Sequence, residues 1–240
     1  MTKIEFSRLK SLVYPTELVI AASCQAFAEN SERYVKPTDV ISCERAGERL
    51  GVTEYKMNDN QSQCFVNAER VRFLLENQSQ INEDFKPQAQ AIIKHFRSKN
   101  VVSILAGKII TDFDMSINSI VTKETVTGLL AYNGTVAFLP QAYANDQARS
   151  SIENRIRDAR GGYLGKPGQK IDSVKVEILR CIWSSNWNTH YVTAITDSDQ
   201  VIFFSFSEKL AQGSQVTLKG RIKDHMENGQ TRMNFVRVLN

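Results

Sequence analysis

Alternating apolar and polar residues mark five short segments in the C-terminal third of the chain. The segments are IDSVKVEILRCIW (171–183), THYVTAIT (189–196), QVIFFSF (200–206), QVTLKGRIKDH (215–225) and TRMNFVRVL (231–239). Their period of two, their β-branched and aromatic residues and the turn-forming residues between them predict five β-strands. Five short strands at this spacing are typical of a small closed barrel.

The fourth of these segments has two unlike faces. Lys219, Arg221 and Lys223 alternate with apolar residues, so the three cations lie on one side of the predicted strand. A row of cations fits the phosphates of a nucleic acid, and charges on an edge strand equally serve solubility and prevent unwanted strand pairing. Gly220, in the middle of the segment, predicts a bulge or a tight bend there.

Apolar residues in the first 155 positions mostly recur at helical spacing. The runs at 18–28 and 66–77 each place apolar side chains on one stripe, and Asn82 begins a third, capped helix that continues to Phe96. Leu105, Ile109, Phe113, Ile117 and Val121 recur every four residues and predict a further helix.

The segment at 145–168 changes character along its length. It begins as a charged helical arm and ends among Gly161, Gly162, Gly165, Pro167 and Gly168. Such flexible compositions commonly mark domain boundaries. The chain is therefore predicted to be an α+β protein, with a helical domain over 1–155, a basic Gly/Pro-rich hinge over 156–170 and the barrel domain over 171–240.

Composition limits the classes of protein to which the chain can belong. The net charge is +4, and residues 166–240 carry ten Lys/Arg against seven Asp/Glu, a bias that permits nucleic acid without requiring it. The four cysteines are far apart and form no CxxC pair, which argues against a structural zinc and a disulfide framework. We expect a reduced, cytoplasmic protein that makes no membrane contact, because no stretch reaches transmembrane length.

Aromatic residues cluster around the first predicted turn of the barrel, in WSSNWNTHY (183–191). Trp187 stands among small polar residues and is the best candidate for an exposed platform on which bases stack, followed by Tyr191 and Trp183. In the third strand, Phe204 and Phe206 share one face and Phe203 takes the other, so at least one side belongs to the core.

The segments SNWNTHYVTAITDSDQVIFFSF, LAQGSQVTLKGRIKDH and TRMNFVRV resemble the OB-fold module of bacteriophage replication and single-stranded-DNA-handling proteins. In that pattern a Trp opens the second strand, an Asp-containing turn leads to an aromatic third strand, and a glycine-lysine strand precedes a closing Arg-Val strand. The positions that match are Trp187, Asp197, Phe203, Phe204, Gly213, Lys219, Gly220, Lys223, His225 and Arg237. The resemblance covers roughly the last third of the chain, and the long helical region departs from it.

The resemblance and the residue pattern together predict an OB-fold that binds single-stranded DNA, or alternatively RNA, with low sequence specificity. We expect this activity to belong to phage DNA replication or recombination in the host cytoplasm, with no cofactor. The predicted contacts are the aromatic residues Trp187, Tyr191, Trp183 and Phe204 and the polar residues Lys219, Arg221, Lys223, His225, Arg232 and Arg237. The helical domain is expected to meet a replication or host protein, and the oligomeric state is left open.

Two other functions remain open at this point. In the first, the barrel is a scaffold in a protein-interaction module that adapts a replisome or meets a host protein. In the second and more remote one, Asp112 and Asp114 hold Mg²⁺ for phosphoryl chemistry. The helical period around these two aspartates turns them towards water instead, so we expect that the chain is not an enzyme.

Overall fold

The computed structural model describes residues 11–57, 62–105, 109 and 111–239. The chain divides into two compact units, Met1–Asp146 and Gln147–Asn240. The first unit is mainly helical and the second contains a closed five-stranded barrel, which confirms the predicted α+β class.

The first unit combines helices with short strands. Its helices are α1 (Thr16–Glu29), α2 (Asn67–Glu76), α3 (Lys86–Leu105), α4 (Asp112–Val121), α5 (Gly128–Ala131) and the beginning of α6 (Gly134–Asp158). Its strands are β1 (Val13–Pro15), β2 (Glu44–Arg49), β3 (Val52–Lys56), β4 (Gln63–Phe65) and β5 (Thr125–Thr127). The strands form a three-stranded sheet, β2–β3–β4, and an antiparallel pair, β1–β5.

Helix α1 lies at the centre of the helical core. Val19, Ile20, Ala22 and Cys24 are fully buried, because α2 and α3 pack against this helix. The run at 18–28 is therefore a core helix, as its pattern predicts. Within the described ranges, no helix combines the length and the apolar composition that crossing a membrane requires.

Two features of the helical unit differ from the sequence predictions. The helix expected from Leu105 begins at Asp112, because Thr111 caps it: its Oγ1 accepts a hydrogen bond from the Asp114 backbone N–H at 3.2 Å. Ile109 lies outside the helix and is exposed, while residues 106–108 and 110 lie outside the described residues. The sheet β2–β3–β4 was not expected, since β2 reads ERAGER and shows no apolar alternation.

The barrel consists of β6 (Lys170–Ser184), β7 (Thr189–Thr196), β8 (Val201–Phe206), β9 (Gln215–His225) and β10 (Thr231–Leu239). The closed order is β10–β8–β7–β6–β9, and every pair is antiparallel except β8 with β10. This order, with its parallel contact between the third and fifth strands, gives an OB-like Greek-key barrel. The five predicted strands are confirmed almost to the residue.

Alternating side chains fill the barrel interior. The core residues are Val176, Ile178, Val192, Ala194, Ile202, Phe204, Leu218 and Met233. Gly220 also points inwards, where a Cβ would lie 3.1 Å from the Met233 Cε and from the Asn234 carbonyl oxygen. Both strands beside it carry irregularities, at Ile171/Val174 in β6 and at Asn234/Arg237 in β10. The irregularities that accompany the predicted bend at Gly220 therefore lie in the two neighbouring strands, β6 and β10.

Residues 161–169, which we call the glycine strap, are hydrogen-bonded to the barrel along their length. The backbone N–H of Gly161 donates to the Asp199 carbonyl at 3.1 Å, and that of Leu164 donates to Thr231 Oγ1 at 2.9 Å. The N–H of Gly168 donates to the Ile222 carbonyl at 2.9 Å. The sequence predicts a flexible hinge here, whereas Gly161 and Gly165 allow the strap to approach the barrel closely.

Replacing Gly161 by alanine is expected to detach the start of the strap. A Cβ at this position would overlap the Ser198 carbonyl oxygen, a backbone atom that cannot swing aside. We expect a loss of about 1–3 kcal/mol in the free energy of unfolding and faster trypsin cleavage within residues 155–170. Gly162→Ala is the control for a methyl group that causes no overlap, because its Cβ would meet nothing within 4 Å. Its φ of 67° adds about 1 kcal/mol of backbone strain, so the two variants are compared by their cleavage rates. Equal cleavage rates for both variants would contradict the docked strap.

Candidate nucleic-acid interface

Two aromatic rings stack on the outer face of the barrel. Thr193 on β7 lies opposite Phe203 on β8, and Tyr191 lies opposite Ser205, so Tyr191 and Phe203 share the face that points away from the core. Their ring centroids are 5.8 Å apart with 26° between the planes. Both side chains are half-buried, which leaves part of the pair open to solvent.

Arg232 extends this surface onto β10. It lies beside Phe203 in the parallel pairing of β8 with β10, and opposite Asp224 on β9. Its guanidinium approaches the Asp224 carboxylate at 3.5 Å, and its buried Nε has no hydrogen-bond partner among the described residues. A cation with an unused donor thus lies next to the stacked rings.

Strand β6 supplies a second arginine to the same side. A bulge between Ile178 and Arg180 shifts the alternation, so that Arg180 pairs with Thr193 on the outer face. We name the surface formed by Arg180, Tyr191, Phe203 and Arg232 the aromatic face. The sequence does not predict Arg180 as a contact residue, since strict alternation from Ile178 would place its side chain inside the barrel.

A cleft of about 670 Å³ adjoins the aromatic face near Arg180. The cleft is lined by Arg157 and Arg160, from the end of α6 and the residues after it, by Arg180 and the turn at 228–230, and by the carboxylates of Glu153 and Asp199. The end of α6 is held on the barrel by Arg155, which donates two hydrogen bonds to the Glu177 carboxylate at 2.7 and 2.9 Å. These hydrogen bonds lower the pKa of the Glu177 carboxyl below its usual value.

The tryptophan loop, residues 183–188, projects from the end of the β6–β7 hairpin. Trp187 is 73% exposed in the turn, and Trp183 is 49% exposed with its ring tilted against His190 at 4.8 Å. The structure therefore places both indoles at the surface. Large exposed aromatic rings are typical of binding surfaces.

The predicted cationic row lies elsewhere on the barrel. Lys219 on β9 lies opposite Arg237 on β10, and Arg221 on β9 lies opposite Lys170 on β6. Lys170 is the first residue of β6, whereas Trp183 lies near the other end of that strand. Lys223 is exposed further along β9. The sequence predicts that this row and the tryptophan loop form one surface, whereas in the structure they lie apart.

Two residues predicted to contact nucleic acid, Phe204 and His225, are covered by other parts of the barrel domain. Phe204 is 1% exposed and belongs to the barrel core, so its ring is closed to a stacking base, and this assignment is corrected. His225 stacks on Tyr163 of the strap, with centroids 4.1 Å apart and planes within 4°. The His225 Nε2 is buried without a hydrogen-bond partner among the described residues. The strap therefore covers one face of the imidazole.

Asp112 and Asp114, the candidate Mg²⁺ ligands, lie in the first turn of α4. Asp114 Oδ2 accepts hydrogen bonds from the Thr111 N–H and Oγ1 at 3.2 and 2.6 Å, the arrangement of a capping box. Asp112 is exposed in the first turn of α4. Across the described ranges, no three His, Cys, Asp or Glu side chains come together in a way that suits a metal ion.

Comparison of the chain with protein-family models, with curated proteins and with solved structures finds no match.

Proposed function

We propose that the barrel binds single-stranded nucleic acid, DNA in the first place, through the aromatic face. The observation that carries the proposal is the stacked pair of Tyr191 and Phe203 on the outer surface, with Arg232 beside it. OB-folds bind oligonucleotides on their second and third strands and the flanking loops. Strands β7 and β8 are the second and third strands of this barrel, and they carry both rings.

The chemistry of this surface suits a flexible polyanion with planar bases. Bases stack on Tyr191 and Phe203, and Trp187 extends the platform from the adjoining loop. Arg180, Arg232 and the arginines of the neighbouring cleft neutralise phosphates. Every base has a face that can stack, so such a surface binds with little sequence preference.

The biological setting of the proposal is DNA replication or recombination, in a bacteriophage as the sequence resemblance implies. RNA is the alternative ligand, because stacking and phosphate contacts do not depend on the sugar. In this setting the helical unit meets a replication or host protein.

The proposal is tested by titrating the full-length protein with oligo-dT and following tryptophan fluorescence. Both tryptophans of the chain lie in the tryptophan loop, so binding beside it is expected to quench the signal. Trp187→Ala is expected to weaken binding by about 1–3 kcal/mol and to leave the fold intact, because Trp187 is exposed.

Trp187→Phe is the matched control, since it keeps a ring that stacks and is expected to retain most of the affinity. Duplex DNA and RNA of the same length complete the comparison. An affinity that is unchanged in a folded Trp187→Ala variant would remove Trp187 from the site, and preferential binding of duplex DNA would contradict the proposed function.

A protein-interaction role is the second candidate, and one observation favours it. Val101, Val102 and Ile104 are more than half exposed near the end of α3, and clustered apolar side chains at a surface often mark a protein contact. A pull-down in which Val102→Asp abolishes capture of a replication protein, without changing oligo-dT affinity, would assign this role to the helical unit.

A further inference from the structure

A second group of cations lies on the outer face of β6, β9 and β10. We name it the cationic face; it consists of Lys170, Lys219, Arg221, Phe235 and Arg237. These residues line a cleft of about 570 Å³. Asp172 is the acidic residue among the cleft's lining, so positive charge prevails in it.

The cations of this face oppose one another across the strands. Lys219 lies directly opposite Arg237, and Arg221 lies directly opposite Lys170. Like charges in directly opposed positions destabilise a sheet. Within the described ranges, Lys170 is paired with Asp172 at 2.6 Å, and no carboxylate forms an ion pair with the other three cations. An anionic ligand would relieve this repulsion.

Phe235 adds an aromatic ring to the same cleft. Its side chain is 82% exposed, and its backbone has a φ of 55° within the irregular part of β10 between Asn234 and Arg237. The left-handed conformation is unusual for a bulky residue, and residues held in such conformations cluster at ligand-binding sites. The bulge thus holds an apolar ring in water among cations.

We propose, building on the single-strand binding proposed above, that the cationic face is a second and separate site for single-stranded nucleic acid. One molecule then holds two strands, or two distant parts of one strand. Phosphates lie against Lys219, Arg221 and Arg237, and a base stacks on Phe235. Lys219 and Arg221 are about 7 Å apart along β9, which is the scale of successive phosphates in an extended strand. A purely acidic peptide would leave the exposed ring of Phe235 without a partner.

The two sites lie towards opposite ends of β10. Arg232, near its beginning, lies beside Phe203 of the aromatic face, whereas Arg237, near its end, lies opposite Lys219. Likewise, Lys170 is the first residue of β6, and Trp183 lies near the end of this 15-residue strand. Tryptophan quenching therefore reports the aromatic face, and total binding reports both sites.

The test titrates the full-length protein with oligo-dT of about eight nucleotides, within the length that one OB-fold covers. Calorimetry counts the bound strands, and tryptophan fluorescence is recorded in parallel. We expect two oligonucleotides per wild-type chain. In a Lys219→Gln/Phe235→Asn/Arg237→Gln variant we expect one, with affinity at the second site lowered on the order of a hundred-fold and quenching unchanged. Asparagine tolerates the left-handed backbone, so the bulge is retained.

The matched control is Lys56→Gln/Lys209→Gln, which removes two exposed lysines outside both faces and is expected to bind two strands. Circular dichroism verifies each fold. If the triple variant does not fold, Phe235→Asn alone replaces it. We then expect the affinity of the second site to fall about ten-fold or more, which corresponds to the loss of one stacked base.

The outcomes separate this site from the proposed function. One oligonucleotide per wild-type chain, with quenching, overturns the second site and leaves the aromatic face standing. Two oligonucleotides per chain in the triple variant overturn it as well. Absence of quenching, together with complete loss of binding in the triple variant, contradicts the aromatic face instead. Binding of poly-glutamate, but not oligo-dT, at the cationic face would show that it accepts acidic protein chains and would overturn the proposal.

Discussion

Replacing Phe204 by alanine is expected to lower the free energy of unfolding by about 3–5 kcal/mol. The ring is buried in the barrel core and packs edge-on against Phe206 at 6.5 Å between centroids. Its loss removes apolar burial and leaves a cavity that a small barrel cannot fill by collapsing. Urea denaturation followed by tryptophan fluorescence measures the effect, because both tryptophans lie in the barrel.

Phe235→Ala is the matched control for this measurement. The same side chain is removed from an exposed position, and the expected change is within about 0.5 kcal/mol. A loss below about 1 kcal/mol for Phe204→Ala would contradict the core position of Phe204 and would return this ring to the predicted binding surface.

The largest effect on binding is expected from a Tyr191→Ala/Phe203→Ala double variant. Each base that stacks on an aromatic ring contributes about 1–3 kcal/mol of binding free energy. The two rings contact each other, so their combined effect is expected to exceed either single effect and to fall short of their sum. The dissociation constant for oligo-dT is measured by tryptophan quenching, which reports binding at the aromatic face and not at the cationic face.

A Tyr191→Phe/Phe203→Tyr variant keeps both rings and controls for the double alanine change. It is expected to bind oligo-dT as the wild-type chain does. Wild-type affinity in a folded double alanine variant would exclude the aromatic face as the binding site, even if the cationic face still bound the strand.

The barrel strands were predictable because their signal is local. Alternation, β-branched residues and turn residues all recur within a few positions, and each of the five segments became a strand with nearly the predicted bounds. The faces of the fourth strand were predictable for the same reason, with Leu218 and Ile222 buried and Lys219 and Arg221 turned outwards. Period two requires no knowledge of partner strands.

The composition of the candidate site was less predictable, because bulges shift the alternation without a clear sequence signature. The bulge after Ile178 moves Arg180 to the outside, and the one near Phe235 exposes that ring in a strand that reads as regular. Phe203 and Phe204 are neighbours of equal apolar character. Which of them stacks with Tyr191 and which fills the core depends on the register of β7 with β8.

The glycine strap shows the same limit for a loop. Glycine occurs both in flexible segments and where the backbone lies in close contact with another part of the protein. The residue type alone therefore does not distinguish the two cases. The Ser198 carbonyl beside Gly161 and the Ile222 side chain beside Gly165 come from distant parts of the chain. Composition therefore predicts a hinge where the barrel holds a strap.

The sequence by itself determined that the chain has a helical part and five barrel strands, and that β9 has one cationic and one apolar side, because these properties arise from spacing along a single segment. Tertiary structure alone decided which strands are neighbours, and hence that the cationic row and the tryptophan loop lie apart. It also decided that Tyr191, Phe203 and Arg232 share one face. The physical reason is that pairing between strands far apart in sequence depends on the closure of the whole barrel, which no single segment encodes.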